Sequence, residues 1–134
     1  MSRAFDDLVA LMSRLRSPDG CPWDREQTVA SVAGHVVEEA RELMAAACSG
    51  DPAAIREELG DLFYTAVFVA EIARENGWFD ADAAIGAIVE KLVRRHPHVF
   101  GGETAKTVED VKRIWERVKA EERESALPGR PPAS

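Results

Sequence analysis

From the N-terminus, apolar residues recur three and four positions apart at Phe5, Leu8, Val9, Leu11, Met12 and Leu15, the spacing of one helical face. The stretch "SPDGCPWD" then breaks the pattern with proline and glycine and predicts a structured loop. A second helix is predicted from about Thr28, with Val29, Val32, Val36, Ala40, Leu43 and Ala47 on one stripe, stopping near Gly50. Asp51 is placed to cap a third helix that has Pro52 at its first position and runs to about Asn76–Gly77. Its apolar residues, Ile55, Leu59, Leu62, Phe63, Ala66, Val67, Ala70 and Ile72, cover more than one stripe, so it is expected to be the most buried element. Asp80 can cap a fourth helix carrying Ile85, Ile88, Val89 and Leu92, which ends before Pro97 because the residue ahead of a proline disfavours helical geometry. A fifth is predicted from about Thr107 to Glu124, with Val108, Val111, Ile114, Trp115 and Val118 on one side.

No segment alternates as a strand does, so the predicted class is all-α, an antiparallel helical bundle of about five helices. The broad apolar surface of the third helix predicts that oligomerisation, as a homodimer or homotetramer, completes the bundle. One domain is expected over residues 1–125, followed by a Pro-rich tail at 126–134 that is expected to be disordered.

Composition narrows the choice of partners. A chain of 134 residues that is 46% hydrophobic and 31% charged suits one globular domain, and its net charge of −7 argues against nucleic acid. No run reaches the roughly 18–20 apolar residues of a membrane span. Residues 1–15 lack an export-signal pattern, with Asp6 and Asp7 inside an amphipathic stretch, so a cytoplasmic protein without membrane partners is expected. Cys21 and Cys48 are then expected as reduced thiols, Cys48 among alanines as a small core residue and Cys21 in the loop as either structural or reactive.

The charge pattern carries the chemistry. Glu39 and Glu42 lie three apart at the border of the second helix's apolar stripe, while Glu38 points further out, and the third helix repeats the device with Glu58 and Asp61 in "EELGD". A solvated acidic face is the ordinary explanation of such spacing. Elsewhere, however, the chain pairs its acids: Glu90 has Arg94, Glu109 has Arg113, and Glu116 has Lys112 and Lys119. Glu39, Glu42, Glu58 and Asp61 have no Lys or Arg three or four positions away. If the two helices pack side by side, four like charges converge, and a divalent cation relieves their repulsion. All-oxygen ligation suits Mg²⁺, with Mn²⁺ as a substitute, better than zinc. No Glu stands three residues before His35, His96 or His98, which makes a di-iron site a poor fit.

A second cluster has the opposite sign. "EKLVRRHPHVFGG" gathers Lys91, Arg94, Arg95, His96 and His98, either to hold a polyphosphate or as the usual cationic end of a helix. His96 and His98 read as metal ligands or as structural hydrogen-bonders. Trp23 and Trp115 can stack on a base or fill the core. Lys119 reads as a partner of Glu116 or as a reach toward phosphate.

"GCPWDREQT", "EEARE", "EELGD", "KLVRRHPHVFG" and "IWERVKAEE", in that order over roughly residues 5–122, resemble the MazG family of nucleoside triphosphate pyrophosphohydrolases. That family lies within the all-α NTP pyrophosphatases, which include the dimeric dUTPases and phosphoribosyl-ATP pyrophosphohydrolase. The resemblance implies metal ligation at Glu39, Glu42, Glu58 and Asp61, and nucleotide contacts in His35 to Glu39, in Lys91 to Arg95 and at Trp115. It implies Mg²⁺-dependent hydrolysis of a nucleoside triphosphate between its α and β phosphates, in nucleotide-pool housekeeping, with Glu38 as candidate to orient or deprotonate the water. Relatives can carry two such domains in tandem, with activity in the second, and the blocks here resemble the first. The alternative is a non-catalytic nucleotide-sensing or partner-binding helical module.

Overall fold

In a computed structural model, residues 3–125 are described, and the tail expected at 126–134 lies outside them. Among the described residues the chain is helical with no strand, as expected, in the order α1 (Arg3–Leu15), α2 (Pro22–Glu26), α3 (Val29–Ser49), α4 (Pro52–Glu75), α5 (Ala81–Arg95), α6 (Pro97–Phe100) and α7 (Val108–Glu124). Five of these are the predicted helices. The short α2 and α6, each with proline in its first turn, fall where a loop and a helix end were expected.

The caps follow from side chains. Thr28 and Ser31 form a capping box at the start of α3, and Thr107 and Asp110 form another at α7. Asp51 accepts from the Ala53 N–H at 3.1 Å and Asp80 from the Ala83 N–H at 2.9 Å. Gly50 ends α3 in the left-handed region at φ 71°, which a side chain would strain.

Two compact units divide the chain, the first ending at Ala84 within α5 and the second starting at Ile85. The first unit is built on α3 and α4, joined by the short Gly50–Asp51 turn and therefore antiparallel, with α1 packed on α4. Its core is Met12, Val32, Val67, Phe68 and Ile72, flanked by Phe5, Leu8, Val9, Leu15, Val29, Val36, Tyr64 and Val69. As expected, α4 contributes the most buried residues, all from Thr65 to Ala73. Toward its N-terminus it turns apolar side chains outward, as does α3, leaving Val37, Met44, Leu59 and Phe63 exposed. Cys48 is exposed rather than core, because the C-terminal half of α3 has its alanines facing solvent and only Ala46 buried.

The second unit holds α6, α7 and the remainder of α5. Ile114 and Val118 of α7 are buried there beside two charged residues, Arg95 and Glu122.

Candidate metal centre

On α3 and α4 the antiparallel register brings Glu39, Glu42, Glu58 and Asp61 together, each offering an oxygen within 4.8 Å of the others. Glu39 Oε2 and Glu58 Oε2 are shut off from solvent without a hydrogen-bond partner. An orphaned buried carboxylate oxygen is costly unless something compensates it. The electrostatics agree with the geometry. Glu39 is pushed above its usual range first by loss of water and then by the charges of Glu42, Asp61 and Glu38. Glu58 is raised to about 7, again first by desolvation and then by Glu42 and Asp61. The donor set fits a hard divalent cation: four carboxylates on two rigid helices, with no thiol or imidazole in the group.

The other residues singled out in the sequence fall into two groups. In the first unit, His35 Nδ1 lies 3.6 Å from Glu38 Oε2, and both side chains are open to solvent. Trp23 is half exposed, its ring 5.6 Å from that of His35 and 6.3 Å from that of Phe68.

In the second unit, Arg95 is only 1% exposed. It donates to Glu122 at 2.9 Å and lies 5.1 Å over the Trp115 ring. Arg94 Nε reaches the same Glu122 carboxylate at 2.7 Å, and Arg94 also pairs with Glu90 at 3.7 Å. Held this way, Glu122 is pushed down to about 2, chiefly by the Arg95 hydrogen bond. Lys119 sits 3.8 Å from Glu116, the pairing expected, whereas Arg113 bonds Asp110 rather than Glu109. His96 Nδ1 meets the Leu92 carbonyl at 2.6 Å, and the His96 ring stands edge-on to Trp115 at 5.5 Å. His98 Nδ1 is buried without a partner.

Sequence reasoning missed Asp24, Tyr64 and Glu122. Asp24, 6% exposed, also has no basic residue three or four positions away, so the criterion that found the four ligand candidates would have found it in the loop as well. Glu122 has Lys119 three residues back, so the lack of a local cation does not single it out.

An all-helical protein whose paired helices carry a four-carboxylate centre able to hold a metal ion is the class these features define. Within it, the MazG nucleotide pyrophosphohydrolase domain matches residues 27–100, and the chain belongs to that family. It is 46% identical over 120 residues to the nucleoside triphosphate pyrophosphohydrolase of Escherichia coli K12, an alignment covering 89% of this chain and 46% of that protein. The Thermotoga maritima nucleoside triphosphate pyrophosphohydrolase/pyrophosphatase MazG is 44% identical over 119 residues, covering 89% of this chain and 45% of that one. The chain thus spans less than half the length of these relatives. A crystal structure of a mazG-related protein from Thermotoga maritima superposes with a TM-score of 0.72 at 31% identity, covering 86% of this chain and 98% of that one.

Proposed function

We propose that the chain hydrolyses nucleoside triphosphates between the α and β phosphates, releasing a nucleoside monophosphate and pyrophosphate. The observation that carries this is the convergence of Glu39, Glu42, Glu58 and Asp61 with two orphaned buried oxygens, in a chain similar to proteins named for that reaction. These four residues would hold Mg²⁺, with Mn²⁺ as a substitute. Bound there, the ion would neutralise phosphate oxygens and acidify a water. Glu38, exposed and beside His35, is the group proposed to orient or deprotonate the attacking water, with His35 steering its carboxylate. In the second unit Lys91, Arg94 and Lys119 are proposed as phosphate-binding side chains, and the buried Arg95 with the half-buried Trp115 as the brace of that segment. The exposed Val37, Met44, Leu59 and Phe63 support a homo-oligomer that covers them. No described helix is long and apolar enough to cross a membrane.

The test is a pyrophosphate-release panel over canonical and base-modified nucleotides with Mg²⁺ and Mn²⁺. Release that requires the metal and is abolished by Glu42→Gln or Asp61→Asn is expected; intact nucleotides throughout would refute the reading. Because the chain spans less than half of its relatives, a second reading is a nucleotide-binding module without turnover. Calorimetric nucleotide binding with no pyrophosphate would establish that alternative.

A further inference from the structure

Trp23 stands on a helix of five residues, too short to hold its own shape, yet its place is firmly set. The helix turns Asp24 inward, and Arg16 Nη1 donates to the carbonyls of Asp24 at 2.5 Å and Gln27 at 3.2 Å while Arg16 Nε bonds Glu75 of α4 at 2.6 Å. The Gln27 side-chain amide donates to the Trp23 carbonyl at 3.0 Å. With the backbone tied down on both sides, the direction in which the indole leaves it is fixed. The Trp23 ring then lies 6.3 Å from Phe68 on α4 at an interplanar angle of 74°, and 5.6 Å from His35 on α3 at 55°. Neither partner stacks flat on the indole, and 49% of the residue stays open to solvent. A large aromatic ring is thus anchored and left uncovered at once.

Its position relates it to the four-carboxylate centre. His35 precedes Glu39 by four residues, so the two share a face of α3 one turn apart, about 6 Å along the axis. The open indole, resting against His35, stands next to the turn that carries a metal-ligand candidate. A nucleotide has the same layout, with one sugar between a flat base and a chain of phosphates. The next exposed residues of α2, Arg25 and Glu26, are charged, a setting that suits a wet ligand site better than the dry centre of a protein contact.

We infer that Trp23 is a base-binding residue of this site: the open part of its indole stacks on the nucleobase of a triphosphate whose phosphates are held at the four-carboxylate centre. The inference rests on the reading of that centre given above and adds the substrate's base to it. A stacking platform reads the π-face and leaves the base edges unread, so it favours purines over pyrimidines by ring area and tolerates bases modified at their edges.

The experiment titrates three ligands into the full chain by calorimetry in excess Mg²⁺: the α,β-methylene analogues of ATP and CTP, whose bridging carbon resists hydrolysis, and inorganic triphosphate, which has no base. Wild type is expected to bind the ATP analogue more tightly than inorganic triphosphate. Trp23→Ala is expected to weaken the ATP analogue by about 5- to 150-fold, the range for a stacking aromatic cut back to alanine, and the CTP analogue by less. Inorganic triphosphate should bind Trp23→Ala as it binds wild type, which also shows that the variant is folded. Trp23→Phe, which keeps a flat ring, should retain most of the affinity. Equal losses for the ATP analogue and inorganic triphosphate would make Trp23 a structural residue and overturn the inference. So would an unchanged affinity for the ATP analogue, or a change of molar mass by light scattering in Trp23→Ala, which would place the indole in a contact between copies. Wild type that binds inorganic triphosphate as tightly as the ATP analogue would remove the base contact and leave the phosphate site standing. Wild type that binds none of the three would remove the reading of the centre, and this inference with it.

Discussion

Two glutamates in this protein face opposite electrostatic problems, each with a carboxylate oxygen withdrawn from water. Glu122 in the second unit receives hydrogen bonds from Arg94 and Arg95, and its carboxyl is pushed down to about 2. Glu58 in the first unit meets only other acids, keeps one oxygen without a partner, and is raised to about 7. The residue type is the same; the sign of the surroundings differs. Where carboxylate and guanidinium satisfy each other, the pair is finished and nothing further need bind. Where carboxylates face each other, the folded chain carries a charge deficit that only a proton or a cation can settle.

Breaking the finished pair should produce the largest effect. Glu122→Ala removes the carboxylate that pairs with Arg95, a residue only 1% exposed. Removing one member of a buried ion pair costs about 3–5 kcal/mol, and urea denaturation should show a loss of that size. A loss below about 1 kcal/mol, the range of exposed pairs, would mean that Arg95 escapes to water and that Glu122 and Glu58 differ little in what holds them.

The unfinished site should respond in the opposite direction. Glu58→Gln removes one of the mutually repelling charges, so the metal-free protein should melt higher than wild type, while the Mg²⁺-dependent rise in melting temperature disappears. The pH dependence follows from the raised pKa. Because Glu58 goes from 4.5 to about 7 on folding, its contribution to metal-free stability is complete below about 4.5 and is lost as pH rises through about 7. In EDTA, wild-type stability should therefore fall across that window and the fall should be shallower in Glu58→Gln. Glu122 has the reverse sign: its contribution is present above about 4.5 and lost as pH falls toward 2. A fall across that window as steep in Glu58→Gln as in wild type would show that Glu58 is not the group responsible.

These two sites also mark what could be read in advance. Helix ends were legible because caps are local: Thr28, Gly50, Asp51, Asp80 and Thr107 act on neighbours within a few positions. The four carboxylates were legible because their lack of a cation three or four residues away is likewise a local fact. Glu122 was not, because the cations that hold it lie 27 and 28 residues back in the chain, and Lys119 supplied a plausible local partner. Asp24 meets the same local criterion, but its burial was not legible: α2 is held by Arg16 and by packing of Trp23, and its five residues are too few to show a helical period. The exposure of Cys48 depends on which elements fail to cover the end of α3, a tertiary fact that an alanine-rich stretch does not announce.

The smallest expected effect tests whether proximity of opposite charges alone makes a finished pair. Arg94 lies between two acids, Glu90 four residues earlier on α5 and Glu122 on α7. The Glu90 contact, 3.7 Å long with its carboxylate 81% exposed, is screened by water and costs side-chain freedom. Glu122 holds the same guanidinium at 2.7 Å from a carboxylate with 7% exposure. Glu90→Ala should therefore change stability by less than about 0.5 kcal/mol and be insensitive to salt, since Arg94 keeps its buried partner. A loss approaching that of Glu122→Ala would show that Glu90 orients Arg94 for the buried pair. The second unit's network would then be a three-residue chain reaching the surface, and its stability, unlike that of an isolated buried pair, would weaken as ionic strength rises.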